Sequence, residues 1–375
     1  MSQHPARILA ASALATLAGL GLTAPVAHAA PADPVQKRLD TLVQESSFPG
    51  AIAAVRGRDG RTRTYTAGVA DLKTEAKMPA DARVRIASNT KMFTAVVALQ
   101  LAGEGKLDLD APIEKYLPGV VRGKGVDGRK ITTRRLLQHT SGLRDYDDVL
   151  IGDFFSVLER HFEPRELVDT ALARRDSPAK GWDYSNTNYI LAGLVVQKVT
   201  GRPIGEEITR RVIKPLGLRD TYWPGVGERD IRGPHPKGYL ALKPGDPYRD
   251  VTRLDPSMAW AAGALVATPK DLNTFMTALM NGELLRPAQL KQMKKTVAAP
   301  EFDTVGGARY GLGIATFKLS CGGFAWSHGG SAPGYATGNG VTEDGRAATV
   351  AVTSLPSDLP AVKNLEAALD TALCA

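Results

Sequence analysis

A chain of 375 residues, 43% hydrophobic and 23% charged, has the composition of a globular protein and is long enough for two modest domains or one large α/β domain with an insertion. Its formal charge of +8 suits an ordinary solvated surface or residence near anionic polymers, and no basic run interleaved with aromatics marks a nucleic-acid binder. The histidines after residue 30 (His139, His161, His235 and His328) include no pair at metal-ligand spacing, so neither a metal nor any other cofactor is expected.

In chain order, Arg7 is followed by an apolar run from Ile8 to Val26 and then by Ala27-His28-Ala29. This pattern predicts a signal peptide over residues 1–29, cut after Ala29, and a secreted protein, extracellular or associated with the cell wall. Gly19, Gly21, Thr23 and Pro25 interrupt the run, which argues against a stable membrane anchor. In an oxidising compartment the two cysteines, Cys321 and Cys374, read as one disulfide.

Amphipathic spacing predicts a helix from Pro34 to Glu45, and Phe48-Pro49-Gly50 then opens a strand, Ala51 to Val55, which pairs as a hairpin with Arg61 to Ala67. An apolar helix follows Ser88 and ends at Gly103-Glu104-Gly105. Shorter helices are expected over Thr132 to Gln138, Pro164 to Ala173 and Asn188 to Thr200. The last third is β-prone in four runs, Tyr310 to Leu319, Gly323 to His328, Tyr335 to Val341 and Ala347 to Ser354, before a terminal helix from Ala361 to Leu373. Strands at both ends with helices between them predict an α/β fold with one sheet and an insertion.

Three motifs carry chemistry. Ser88 and Lys91 lie one helical turn apart on the same face, so the amine can reach the hydroxyl and activate it as a nucleophile. Ser177 and Lys180 have the same spacing but open no apolar helix, whereas Ser88 stands at a helix N-terminus, where free N–H groups and the helix dipole favour an oxyanion. The same residues also read as a plain Ser N-cap with a solvated lysine. In Tyr184-Ser185-Asn186 an extended backbone would point the phenol and the amide into one cleft, and a loop of turn formers is the alternative. His328-Gly329-Gly330-Ser331 closes a strand with glycines that admit another backbone, such as a peptide-like substrate, or form a simple turn.

Ile86-Ala87-Ser88-Asn89-Thr90-Lys91, Gln138-His139-Thr140-Ser141-Gly142-Leu143, Tyr184-Ser185-Asn186 and Tyr310-Gly311-Leu312-Gly313, in this order, give the chain a whole-length likeness. It resembles the exported serine D-alanyl-D-alanine carboxypeptidases of the penicillin-recognising, class C β-lactamase-like superfamily, which also holds D-aminopeptidases and esterases. The resemblance implies a β-lactamase/DD-peptidase-like fold. An antiparallel sheet flanked by the N- and C-terminal helices would be built from residues 34–87 and 265–375. A mostly helical insertion, 88–264, would leave the active site at the interface.

The resemblance also implies roles. Ser88 would form an acyl-enzyme, Lys91 and Tyr184 would handle protons, and the backbone N–H groups of Ser88 and Ser331 would form the oxyanion hole. Asn186, His328, Gly330 and Ser331 would hold the substrate, Trp260 would wall the cleft, and Cys321 and Cys374 match the relatives' disulfide. A neutral Lys91 needs its pKa lowered by about three, roughly 4 kcal/mol, and a protonated Lys91 beside an ionised Tyr184 is the competing assignment. A monomer acting on small peptides, β-lactams or peptidoglycan is expected. Relatives that bind a terminal carboxylate carry an arginine where Ala315 stands and a threonine where Gly329 stands, so esterase, D-aminopeptidase or β-lactamase activity is the alternative, and a non-catalytic penicillin- or wall-binding protein is a further one.

Overall fold

Small and β-branched residues make Gly50–Arg56 (β1) a strand buried on both faces. It pairs on one side with Thr62–Asp71 (β2), which is followed by Ala76–Lys77 (β3). The remaining strands of this sheet come from the last quarter of the chain: Val297–Ala298 (β4), Arg309–Tyr310 (β5), Ala315–Lys318 (β6), Phe324–Ser327 (β7), Gly330–Ala332 (β8), Tyr335–Thr342 (β9) and Ala347–Val352 (β10). The order is β4-β5-β6-β7-β9-β10-β1-β2-β3, with β8 paired to β9, and each pairing is antiparallel. The computed structural model describes residues 33–375 except 124, 151–153, 244 and 301, so the expected signal peptide at 1–29 lies outside the described residues.

Strand alternation decides what each face buries. Ala51, Ala53 and Val55 of β1 pack with Val35, Leu39 and Leu42 of the first helix, Pro34–Gln44 (α1). Ala361, Leu365 and Leu369 of the terminal helix, Leu359–Cys374 (α6), complete that layer. Ile52 and Ala351 point the other way. They join a core with Phe93 and Val97 of Thr90–Gly103 (α2), Tyr189 of Asn186–Thr200 (α3) and Phe275 of Pro269–Met280 (α5). The Phe93 and Phe275 rings stack with centroids 3.8 Å apart. α2 is apolar around its circumference and buried on every side, as a helix without a polar face must be. The chain-end strands and the helices between them therefore share one continuous core. Among the described residues no helix is long and apolar enough to cross a membrane.

The expected elements shift in three places. Tyr310 to Leu319 is two strands, β5 and β6, because the turn between them is pressed against the helices. Gly313 adopts φ +79°, and a Cβ there would lie 2.5 Å from Ala95 Cβ and 2.9 Å from Tyr189 Oη. α3 begins at Asn186 instead of Asn188, with Ser185 as its extended N-cap residue. The short strand β8 follows directly on His328 and Gly329, where a turn was one reading.

Cys321 in the β6–β7 turn is joined to Cys374 at the end of α6, across a sequence separation of 53. Closing a loop of that length stabilises the fold by about 4 kcal/mol in the chain-entropy treatment, and less where the open chain keeps residual structure. Replacing both cysteines by serine is therefore expected to lower the urea midpoint by the equivalent of about 2–4 kcal/mol, and an unchanged midpoint would contradict this.

Candidate active site

Ser88 sits in a single 3₁₀ turn, Ala87–Asn89, that feeds directly into α2. Ala87 has φ +46°, a conformation that costs an alanine roughly 1–2 kcal/mol, so neighbouring contacts must hold it. Buried Asn89 supplies some of them, donating from Nδ2 to Ile86 O (2.6 Å) and Thr337 Oγ1 (2.6 Å). Its Oδ1 accepts from Asn339 Nδ2, which also donates to His328 O (2.6 Å). Gly330 of β8 lies so close that a Cβ would be 2.3 Å from Ile86 O, so this glycine admits the turn that carries Ser88. That contact brings β8, with the exposed Ser331, against the Ala87–Asn89 turn.

Lys91 is fully buried, and its Nζ has three partners: Ser88 Oγ at 3.0 Å, Asn186 Oδ1 at 2.7 Å and the carbonyl of Ala262 at 3.0 Å. The side-chain amide of Asn186 is oriented by Asp145, whose Oδ2 accepts from Asn186 N (2.8 Å) and Nδ2 (3.0 Å), so the oxygen must face Lys91. Burial pushes the Lys91 ammonium down to about 7, opposed by the charges of Asp145 and Asp147. A neutral amine has two N–H bonds and one lone pair. Two of its three partners are carbonyl oxygens that can only accept, which leaves the lone pair for the Ser88 hydroxyl. Burial likewise pushes the Asp145 carboxyl up to about 6, against hydrogen bonds from the Asn186 and Asp147 backbones that lower it.

The Tyr184 ring lies 4.9 Å from Lys91 Nζ, with its hydroxyl near Ser88. Burial raises the Tyr184 pKa above the usual phenol value, so the phenol stays protonated at neutral pH. Behind it, the buried His139 ring stacks at 4.4 Å with an interplanar angle of 29°. Its Nδ1 accepts from Ser185 N (3.2 Å), which assigns the proton to Nε2, and desolvation together with Lys91 keeps the imidazole neutral.

His328, expected to reach the substrate, is buried with both nitrogens occupied. Nδ1 donates to Gly329 O (2.6 Å) and Nε2 accepts from Tyr310 Oη (2.9 Å). Burial and the nearby Lys91 push it down to about 3, so it offers no cation to a ligand. Trp260, expected to wall the cleft, turns away at φ +35°. Its ring packs where Gly193 has no side chain, seven residues and about 10 Å along α3 from Asn186. What reaches the site from that segment is the backbone of Trp260–Gly263 (α4), through Ala262 O on Lys91 and Ala261 O on Thr94 Oγ1.

Sequence reasoning missed Asn89, Asn339, His139, Asp145 and Tyr310 as parts of this site. Asn89 and His139 stand inside stretches already singled out. Tyr310 likewise opens a stretch already singled out, whereas Asp145 and Asn339 lie far apart in sequence and carry no local signal. Among the described residues no group of three His, Cys, Asp or Glu side chains could hold a metal ion. Because Asn339 serves both the Ser88 turn and His328, Asn339→Ala leaves three buried groups unpaired: Asn89 Oδ1, His328 O and His328 N. It should lower stability by at least about 2 kcal/mol in chemical denaturation, and a loss under about 0.5 kcal/mol would contradict the clamp.

Comparison with known proteins places this geometry. A D-stereospecific amidohydrolase from Streptomyces sp. superposes with TM-score 0.79 at 40% identity, covering 88% of this chain and 96% of that one. A D-amino acid amidase from Ochrobactrum anthropi SV3 superposes with TM-score 0.78 at 28% identity, covering 90% and 96%. Among curated proteins, esterase EstB of Burkholderia gladioli is 32% identical over 213 residues, 52% of this chain and 53% of the esterase. Penicillin-binding protein 4* of Bacillus subtilis (strain 168) is 28% identical over 193 residues, 50% of this chain and 40% of that protein. The chain thus spans about half or less of the length of these two curated relatives. The Beta-lactamase family model matches residues 35–373, and the chain belongs to that family of β-lactamase- and penicillin-binding-protein-like serine hydrolases.

Proposed function

We propose that this protein is an exported hydrolase that forms an acyl-enzyme on Ser88 and cleaves amides and esters of D-amino acids with a free α-ammonium group, in preference to the terminal D-alanine of wall peptides. The observation that carries the choice of substrate is electrostatic. Ala315, where carboxylate-binding relatives carry arginine, is buried in an apolar cluster with Ala299, Tyr310, Trp182 and Phe302, so no guanidinium space exists there. The charges acting on Lys91 and Tyr184 are those of Asp145 and Asp147. A substrate's free carboxylate would meet like charge at this site, and an ammonium would meet opposite charge. The likeness to D-amino-acid-directed amidohydrolases over nearly the whole chain supports the same reading.

In this reading Ser88 Oγ attacks the carbonyl carbon as its proton passes to the Lys91 lone pair, and the oxyanion is held by the N–H groups of Ser88 and Ser331. Lys91 returns the proton through the Tyr184 hydroxyl to the leaving amine or alkoxide as the C–N or C–O bond breaks. Water then repeats the cycle on the ester, releasing the acid and restoring Ser88. Asn186 holds Lys91 and His139 supports the Tyr184 ring by stacking. The half-buried Trp182 and Phe302 give the acyl side chain an apolar wall. Export would follow from the signal pattern at 1–29.

The test compares D-phenylalanine amide, its N-acetyl derivative, its L enantiomer and diacetyl-Lys-D-Ala-D-Ala. The free D-amide should show a kcat/KM at least tenfold above the other three, Asp145→Asn should erase its advantage over the N-acetyl form, and Ser88→Ala should abolish turnover. Faster cleavage of the diacetyl peptide would replace the amidase reading with the carboxypeptidase one. Turnover undiminished in Ser88→Ala would remove the acyl-enzyme itself.

A further inference from the structure

Beside Trp260 at the start of α4 the fold holds a cavity of about 690 Å³ that is open to solvent. Phe162, Ile204, Trp223, Trp260 and Pro256 form an apolar and aromatic part of its wall, and none of Ser88, Lys91, Tyr184 or Asn186 lines it. Gln197 of α3 borders it, eleven residues and about 16 Å along the helix from Asn186, so the cavity is distinct from the catalytic cleft.

Of the acidic and cationic residues that line it, Glu163, Arg202, Glu206, Arg210 and Lys214 are exposed and Asp255 is buried. Asp255 is 1% exposed. Its Oδ1 caps the turn Pro256–Met258 by accepting from Ser257 N (3.0 Å), whereas its Oδ2 accepts no hydrogen bond. The basic side chains nearest the carboxylate stop short of hydrogen-bonding distance, with Arg229 Nε 3.9 Å from Oδ2 and His161 Nδ1 3.6 Å from Oδ1. An unfilled buried carboxylate oxygen is costly unless a donor reaches it. Among the lining residues Val226, between Gly225 and Gly227, is an apolar side chain that is 92% exposed.

We propose that this cavity is a second ligand site, for a small ammonium ion on an aromatic or branched apolar body, with the ammonium on Asp255 Oδ2 and the body between Trp223 and Trp260. The two parts of the site ask for the two parts of that ligand. Aromatic faces attract a cation as well as an apolar group, and a charge-assisted hydrogen bond to a desolvated carboxylate rewards N–H⁺ over O–H. The site does not rest on the substrate reading above.

Calorimetric titration of the full protein with phenethylamine, 2-phenylethanol and 3-phenylpropanoate tests it. The amine should bind at least tenfold more tightly than the alcohol and the carboxylate. Asp255→Asn keeps the capping oxygen and should weaken the amine at least tenfold, leaving the alcohol unchanged. Equal affinity for the three compounds on the wild-type protein overturns the proposal. So does amine binding that is lost in Asp145→Asn but kept in Asp255→Asn, which would put the amine in the Ser88 cleft.

Discussion

Everything in this molecule that bears on chemistry depends on Lys91 being buried. An ammonium with no solvent access is expensive, and the protein holds it with two carbonyl acceptors and one hydroxyl, all within hydrogen-bonding distance. With the folded pKa near 7 and the free value at 10.5, the unfolded chain binds a proton that the folded chain gives up between those pH values. Stability therefore rises with pH across that window, and at pH 7 the site costs the fold on the order of 4 kcal/mol. A large continuous core and a disulfide stand on the other side of that balance. The same burial that lowers stability holds a lysine close to the protonation state in which it can accept a proton from serine.

The sheet serves this arrangement by fixing two backbones against each other. The nucleophile turn is held through Asn89 to Thr337 and Asn339 on β9, and Gly330 on β8 closes to contact with Ile86. The helical region contributes through α3, which carries Asn186 at its first turn, and α4, which presents a carbonyl to Lys91. A site assembled from rigid elements that share one core keeps its geometry without substrate, which is what electrostatic preorganisation requires.

The sequence was legible where chemistry and periodicity are local. The Ser88–Lys91 spacing, the apolar α2, the amphipathic α1 and α6 and the cysteine pair each carry their own signal, and each is where it was expected. Long-range partners were not legible. Nothing near Asp145 announces that it orients Asn186, nor near Asn339 that it clamps a turn some 250 positions earlier. Burial misled in two places. His328, expected among the substrate-binding groups, has both ring nitrogens occupied, and the Trp260 ring, expected to wall the cleft, packs at Gly193. Both outcomes depend on what packs around a residue, which a linear motif does not state.

The central claim is that Lys91 is the base that activates Ser88, and the most direct measurement of it is the titration of Lys91 itself. In protein labelled with ¹⁵N at lysine Nζ, the Lys91 resonance should move through a midpoint near pH 7, protonated below and neutral above, and the rate of Ser88 acylation should rise with the same midpoint. A Lys91 that stays protonated above pH 9 while acylation proceeds at neutral pH would contradict the account and return the role of base to Tyr184.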